Sequence, residues 1–253
     1  MRKLAAALLA GATVATAAMA QEPKLRLETE LGTSMEHLSN NLPAWRSNTV
    51  DFSSSGEYKR SYYGQLRSTE RFSQKDSDVT VGAYLPFGQQ WTAQLEAGAS
   101  DTHRVLPRYS LLGQLDRRLD GGWGLQVGLR RSEYERSGTN LTIFGLDRYF
   151  RNYRAAYTLY SGRPDGGASG ASHRLQWSWY YGEHNSLSLS AAHGREVESV
   201  FPAGLLTSTV SNRTLFGRHW FSPTWAVSYE ASVQEQGDLY TRRGIRVGLR
   251  HAF

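Results

Sequence analysis

The C-terminal stretch that decides the fold class reads Tyr240-Thr241-Arg242-Arg243-Gly244-Ile245-Arg246-Val247-Gly248-Leu249-Arg250-His251-Ala252-Phe253. Ile245, Val247, Leu249 and Phe253 fall on one parity, whereas glycine, arginine and alanine fill most of the other. A period of two residues is typical of a β-strand with two different faces. The apolar face suits lipid, the arginine-rich face suits a watery interior, and a final aromatic residue suits a membrane interface. We therefore predict the closing strand of a membrane-spanning β-barrel.

The same two-residue alternation recurs along the chain, with turn residues between the segments. Segments 49–55, 62–71 and 207–217 are short or weak, and the parity of 141–150 is ambiguous. We expect an all-β fold, a single antiparallel up-and-down transmembrane barrel of about 14 strands, with about 12 as the alternative, because single-chain bacterial barrels have even strand numbers. The predicted strands are 25–31, 49–55, 62–71, 79–85, 91–97, 111–115, 123–129, 141–150, 153–159, 175–181, 187–191, 207–217, 225–233 and 240–253.

The connections between these segments alternate in length. With the C-terminus in the periplasm, we expect short periplasmic turns and longer extracellular loops. A long loop that folded inward, such as 195–206, would plug the barrel. The short connections are 86–90, 120–122, 151–152 and 183–185, and the long ones are 33–48, 101–109, 163–171 and 195–206.

The N-terminus predicts export. Arg2 and Lys3 precede a short apolar run, and Ala18-Met19-Ala20 forms an A-x-A site, so we expect a signal peptide at 1–20, cleavage after Ala20 and a barrel domain at 21–253. The predicted location is the bacterial outer membrane. A mean hydropathy of −0.51 argues against helical spans, and the charge of +6 is spread along the chain rather than clustered, which argues against nucleic acid as a partner.

Aromatic residues at strand ends predict a girdle at the periplasmic interface, formed by Trp91, Trp123, Trp225 and Phe253. We expect outer-membrane lipid and lipopolysaccharide as surroundings of a monomeric barrel. The C-terminal strand with Phe253 is expected to engage the barrel-insertion machinery.

Five blocks of sequence stand out: Thr102–Arg108, Arg148–Tyr157, Gly194–Glu198, Gly217–Trp220 and Gln236–Gly244. Together they resemble the YaiO-type family of bacterial outer-membrane β-barrels. The resemblance implies the fold and the location, and it implies no activity. Some members of that family carry tetratricopeptide repeats ahead of the barrel, as polysaccharide exporters also do, so a barrel partner of a polysaccharide or envelope export system is one functional alternative.

Charged residues of both signs fall on the predicted inward parity. Buried charges must pair, so we favour a structural network, with an anion-favouring pore lining as the alternative that the same residues could also serve. The predicted role is a non-enzymatic pore or envelope scaffold with an Arg/Glu-lined lumen. The predicted lumen residues are Arg26, Glu28, Glu30, Glu96, Asp116, Arg118, Arg130, Arg154, Arg174, Glu230, Arg246 and Arg250.

An enzymatic alternative rests on His37-Leu38-Ser39-Asn40, which resembles the His-x-Ser-Asn stretch of outer-membrane phospholipases and lipid A deacylases. His37 and Ser39 would pair a base with a hydroxyl nucleophile. No third, orienting group is identifiable, and a motif without its structural context is only a hypothesis. The histidines are scattered, so we expect neither a metal site nor another cofactor.

Overall fold

The computed structural model describes residues 26–56, 60–200 and 204–253. The predicted signal peptide at 1–20 and its cleavage site lie outside these residues. Within them, no helix is both long and apolar enough to cross a membrane.

Fourteen β-strands form the molecule, and a single 3₁₀ turn at Asp120–Gly122 precedes β7 in the described chain. The strands are β1 Arg26–Leu38, β2 Trp45–Ser55, β3 Ser61–Arg71, β4 Gln74–Phe87, β5 Trp91–Ser100, β6 Tyr109–Arg118, β7 Trp123–Glu133, β8 Gly138–Phe150, β9 Tyr153–Pro164, β10 Gly170–Tyr181, β11 Asn185–Val200, β12 Gly204–Trp220, β13 Trp225–Gln236 and β14 Tyr240–Ala252.

Each strand pairs antiparallel with its neighbours in sequence, and β14 pairs with β1 to close the barrel. In that closing ladder Leu31 lies opposite Leu249 and Gly32 lies opposite Gly248. The prediction of an up-and-down barrel of 14 strands is confirmed, and the alternative of 12 is wrong because all three weak segments pair on both sides, as β2, β3 and β12.

The two faces of the wall are inverted relative to a soluble protein. Leu129 and Ile245 point outward and are 65% and 67% exposed, whereas the inward Glu30 is 3% exposed. This pattern suits a barrel whose outside contacts lipid. In β8, whose parity the sequence left open, Phe144 and Leu146 are exposed on the outer face, and Asp147 lies on the inward parity.

We call the end where β1 begins and β14 finishes the terminal end, and the opposite end the distal end. Terminal-end connections include 88–90, 119–122, 151–152, 182–184 and 221–224. Distal connections include 39–44, 72–73, 101–108, 134–137, 165–169 and 237–239. The longest of these is 101–108, but the predicted loops 33–48 and 195–206 are wrong in extent. In both, polar residues continue the alternation, so β1 runs to Leu38 and β11 to Val200.

Candidate functional site: the barrel lumen

The largest group of inward charges lies where the barrel closes, and we call Glu28, Glu30, Asp51, Arg246 and Arg250 the closure cluster. Glu30 accepts hydrogen bonds from Arg246 Nη2 at 2.8 Å and from Arg250 Nε at 2.8 Å. Arg250 Nη1 donates to Glu28 Oε2 at 2.6 Å, and Arg246 Nη2 donates to Asp51 Oδ2 at 3.1 Å. The cluster therefore ties β14 to both β1 and β2 by charge-assisted hydrogen bonds.

Glycines on the inward parity let these side chains lie along the wall. A Cβ on Gly248 would lie 2.5 Å from Glu30 Oε1, and one on Gly32 would lie 2.6 Å from Arg246 Nη2. Any larger residue would push the carboxylate or guanidinium off the wall. The alternation of arginine and glycine in β14 thus has a structural reason.

A second cluster joins β3, β5 and β7. Tyr63 lies across β4, over Gly82, and its hydroxyl donates to Glu96 Oε2 at 2.8 Å. Gln94 Nε2 donates to the Tyr63 hydroxyl at 2.6 Å, and Arg130 Nη2 lies 2.9 Å from Glu96 Oε1. Glu96 is therefore held by one cation and one hydroxyl.

Two further inward ion pairs link neighbouring strands. Arg67 binds Asp78 through both Nε and Nη2, at 2.8 and 2.7 Å. Arg154 Nε donates to Asp147 Oδ2 at 3.0 Å. The lumen residues predicted from the sequence included neither Asp147 nor the Arg67–Asp78 pair. Asp147 lies in the segment of ambiguous parity, and Arg67 lies in a weak segment. Asp78 could have been found, because it lies on the polar parity of its segment.

Four of the remaining predicted lumen residues have no ion pair within the described chain: Asp116, Arg118, Arg174 and Glu230. Asp116 accepts from Gln114 Nε2 at 3.3 Å, and Arg174 Nη2 donates to Gln176 Oε1 at 2.6 Å. Glu230 lies opposite Arg246 in the β13–β14 ladder, and Arg118 is exposed at the terminal end of β6. Arg26 Nε lies 2.8 Å from Glu28 Oε1.

All inward ion pairs of the described residues run along the wall, between residues of one strand or of strands at most two positions apart. Fourteen strands spaced about 4.8 Å apart and tilted by about 40° form a backbone cylinder roughly 28 Å across. Arg130 stays 32% exposed and Arg246 28% exposed although both point inward. The lumen therefore holds open space along its charged walls.

An apolar group, the distal cluster, covers the inner wall at the distal end of β14, β1 and β2. It consists of the buried Leu38, Trp45 and Tyr240, with Leu42 and Phe72 packed against them. The guanidinium carbons of Arg71 and Arg242 each lie 4.7 Å from the Trp45 ring centroid. These cation–π contacts connect the apolar group to the charged wall.

The distal loop 101–108 is anchored by a carboxylate near the start of β4, at the distal end of the barrel. Asp76 Oδ2 accepts from the backbone N–H groups of Val105 and Leu106 at 2.7 and 2.9 Å, and Asp76 also accepts from the Thr102 hydroxyl. Val105 and Leu106 are buried as a result. Asp101, in the same loop, accepts a hydrogen bond from the backbone N–H of Ser77 in β4. This bond holds the pKa of the Asp101 carboxyl below its usual range.

The distal ends of β11 and β12 leave the wall and bend inward. Beyond the Ser172–Gly194 pair, β11 no longer pairs with β10, and Gly194 has a φ of 147°. A Cβ on the inward-facing Gly170 would lie 2.6 Å from the Arg195 carbonyl oxygen, so β11 covers the lumen side of β10 at Arg195. Residues predicted to form a long loop therefore extend the β11–β12 hairpin and narrow the distal mouth.

The predicted girdle residues lie on the outer face at the terminal end. Trp91, Trp123, Trp225 and Phe253 are all exposed there. Arg117 and Arg148 each stack on a cross-strand tryptophan, at 5.1 Å from the Trp91 and Trp123 ring centroids. These tryptophan–arginine pairs suit the headgroup level of a membrane.

His37 and Ser39 lie at the distal end of β1. His37 is exposed on the outer face opposite Arg243, whereas Ser39 Oγ accepts from the backbone N–H of Thr241 at 2.9 Å and closes the β1–β14 ladder. No hydrogen bond joins His37 to Ser39 among those of the described residues. Within residues 26–56, 60–200 and 204–253, no three His, Asp or Glu side chains converge in a metal-binding arrangement.

A closed 14-stranded barrel with an apolar outer face and a charged lumen defines a bacterial outer-membrane β-barrel protein. The family described as YaiO membrane beta barrel domain matches residues 27–199, and the chain belongs to that family. The blocks at Gly217–Trp220 and Gln236–Gly244 lie beyond the matched residues. The comparison with curated protein sequences finds no match.

Solved porins share the fold. The anion-selective porin from Comamonas acidovorans aligns with a TM-score of 0.50 and 11% identity, over 92% of this chain and 100% of that chain. Pseudomonas aeruginosa OpdQ aligns with a TM-score of 0.54 and 6% identity over 92% and 99%, and OpdO from the same organism with 0.51 and 8% over 92% and 97%. Identities this low show the fold alone.

Proposed function

We propose that the protein is a non-enzymatic, monomeric pore that lets small polar solutes cross the outer membrane. The proposal rests chiefly on the wall-bound ion pairs, because they leave inward arginines such as Arg130 and Arg67 partly exposed inside the barrel. A lumen plugged by its own charges would have ion pairs across its centre and no exposed guanidinium. Water can therefore line the passage.

The distal mouth sets the size of what passes. The inward-bent hairpin of β11 and β12, the loop 101–108 and the distal cluster all reduce the opening at that end. We expect a small conductance and exclusion of large solutes. The terminal mouth carries no comparable apolar cover among the described residues, so we place the constriction at the distal end.

The test is single-channel recording of the refolded protein in planar bilayers. We expect discrete conductance steps, and a lower anion preference in Arg174→Gln, because Arg174 faces the lumen without a carboxylate partner. Arg117→Gln, which removes an exposed outward arginine, is the control and should change nothing. A folded protein that gives no conductance would refute the pore and would favour the scaffold or export-partner alternative, which predicts a co-purifying envelope partner instead.

The hydrolase alternative has its own test. Ser39→Ala should abolish fatty-acid release from outer-leaflet lipid if Ser39 is a nucleophile. We expect unchanged lipid turnover, because the Ser39 hydroxyl is engaged by Thr241 N.

A further inference from the structure

Three side chains converge on the inner wall at the terminal mouth, two of them from the sequence block Gly217–Trp220. Arg218 and Trp220 lie on the inward parity of β12, and Arg26 reaches them from the start of β1. The Arg26 guanidinium carbon lies 4.7 Å from the Trp220 ring centroid, and its Nη1 lies 3.4 Å from His184 Nε2 in the β10–β11 turn. Arg26 therefore extends over β14 and β13 to the β11–β12 side of the mouth.

The charges around this group do not balance. Arg218 interacts electrostatically with Arg26, Arg250, Glu28 and Glu30. Both Glu28 oxygens and both Glu30 oxygens already contact Arg26, Arg246 or Arg250, at 2.6 to 2.8 Å. Arg218 has no carboxylate within 4 Å among the described residues, so one cation is left without a counter-charge.

Hydrogen-bond donors are also left over at the same place. Arg218 Nε, Arg26 Nη2 and the Trp220 indole N–H are buried and have no acceptor in the described part of the chain. A buried donor without a partner costs free energy, and a buried unpaired cation costs more. A guanidinium presents its N–H groups as a planar fork that fits the oxygens of a phosphate or carboxylate.

We propose that Arg218, Arg26 and Trp220 form a binding site for an oxyanion group of a soluble solute at the terminal mouth of the lumen. The anion accepts hydrogen bonds from Arg218 and Arg26 and from the indole N–H of Trp220. It supplies the counter-charge that Arg218 lacks. The site faces the lumen rather than lipid, so its ligand arrives from the aqueous side, and binding does not depend on whether the lumen conducts.

The test is calorimetric titration of refolded protein with inorganic phosphate, in an uncharged sugar detergent and at ionic strength held constant with chloride. We expect one saturable site in the wild-type protein. Arg218→Gln should weaken binding about tenfold or more, since it removes a charge-assisted hydrogen bond, and Trp220→Phe should weaken it about threefold to tenfold, since it removes only a neutral donor. Heat-modifiable migration on gels checks that each variant is folded.

Arg117→Gln is the matched control, because Arg117 is an exposed arginine on the outer face that also stacks on a tryptophan. Its phosphate affinity should equal that of the wild type. Absence of a saturable site in folded wild-type protein would overturn the proposal, as would an equal loss in Arg117→Gln, which would indicate adventitious surface binding only. If Arg218→Gln does not fold, Arg26→Gln replaces it with the same expected loss.

Discussion

Glu30 shows how a single residue organises the closure of the barrel. It is 3% exposed, and its two oxygens accept hydrogen bonds from Arg246, Arg250 and Ser228. The Glu30 carboxylate supplies negative charge to both guanidiniums, and removing it would leave buried positive charge undercompensated. The arginines of β14 are therefore structural partners first, which makes them poor probes of ion selectivity.

Replacing Glu30 by glutamine should lower the free energy of unfolding by about 3 to 5 kcal/mol, because two inward guanidiniums lose a shared carboxylate. Urea unfolding of the refolded protein in lipid vesicles, followed by tryptophan fluorescence, measures the change. The control is Glu70→Gln, whose exposed contact with Lys75 spans 3.6 Å and should contribute less than about 1 kcal/mol. Equal losses in both variants would contradict the buried network.

At the scale of elements, the hairpin formed by β11 and β12 differs from every other pair of strands in the described chain. Residues 195–200 of β11 and 204–209 of β12 form strand pairs only with each other, because the β10–β11 ladder ends at Gly194 and the β12–β13 ladder ends at Val210. The bend requires the φ of 147° at Gly194, a backbone region that is nearly restricted to glycine. Gly194 is the first residue of one of the blocks that resemble the family, and the φ that the bend needs explains why a glycine stands there.

Gly194→Ala should release the hairpin tip, because the added Cβ would meet the Ala171 carbonyl oxygen and Ser172 Cα as well as an unfavourable φ. Limited trypsin digestion of the folded protein in micelles should then cleave after Arg195 at least several-fold faster. Gly113→Ala is the control, since a Cβ at Gly113 meets no atom within 4 Å. An unchanged cleavage rate in Gly194→Ala would show that the bend does not depend on this glycine.

At the scale of the whole molecule, the barrel is complete only when the first and last strands meet. The Phe253 backbone N–H donates to the Leu27 carbonyl at 2.9 Å, and its exposed ring packs edge-on against His251, which packs against Trp225. The last residue thus extends the β1–β14 seam and leaves an aromatic ring at the outer surface. This position fits the predicted engagement of the insertion machinery.

Deleting Phe253 should lower the amount of heat-modifiable barrel in outer membranes several-fold, because both the terminal hydrogen bond and the exposed aromatic are lost. Quantitative immunoblotting of unheated and heated membranes measures it. Phe221→Ala removes an exposed aromatic from a terminal-end turn and should leave the level unchanged. Normal levels after deletion of Phe253 would rule out the proposed role.

Much of this architecture follows from alternation alone. Arginine and glycine alternating with Ile245, Val247 and Leu249 suffice to place one face in lipid and one in the lumen, because a strand turns successive side chains to opposite sides. Strand number, barrel class and the inward position of Glu30, Arg246 and Arg250 could therefore be predicted from the sequence.

Only the tertiary structure decided which charges meet. Asp51 reaches Arg246 across β1, and Tyr63 reaches Glu96 across β4; both contacts depend on strand register and on inward glycines. It also decided that Arg218 is left without a carboxylate, because this depends on how β12 lies relative to β1 and β14, which are far from it in the chain. Finally, it decided that residues 195–200 and 204–206 pair with each other beyond the end of the β10–β11 ladder.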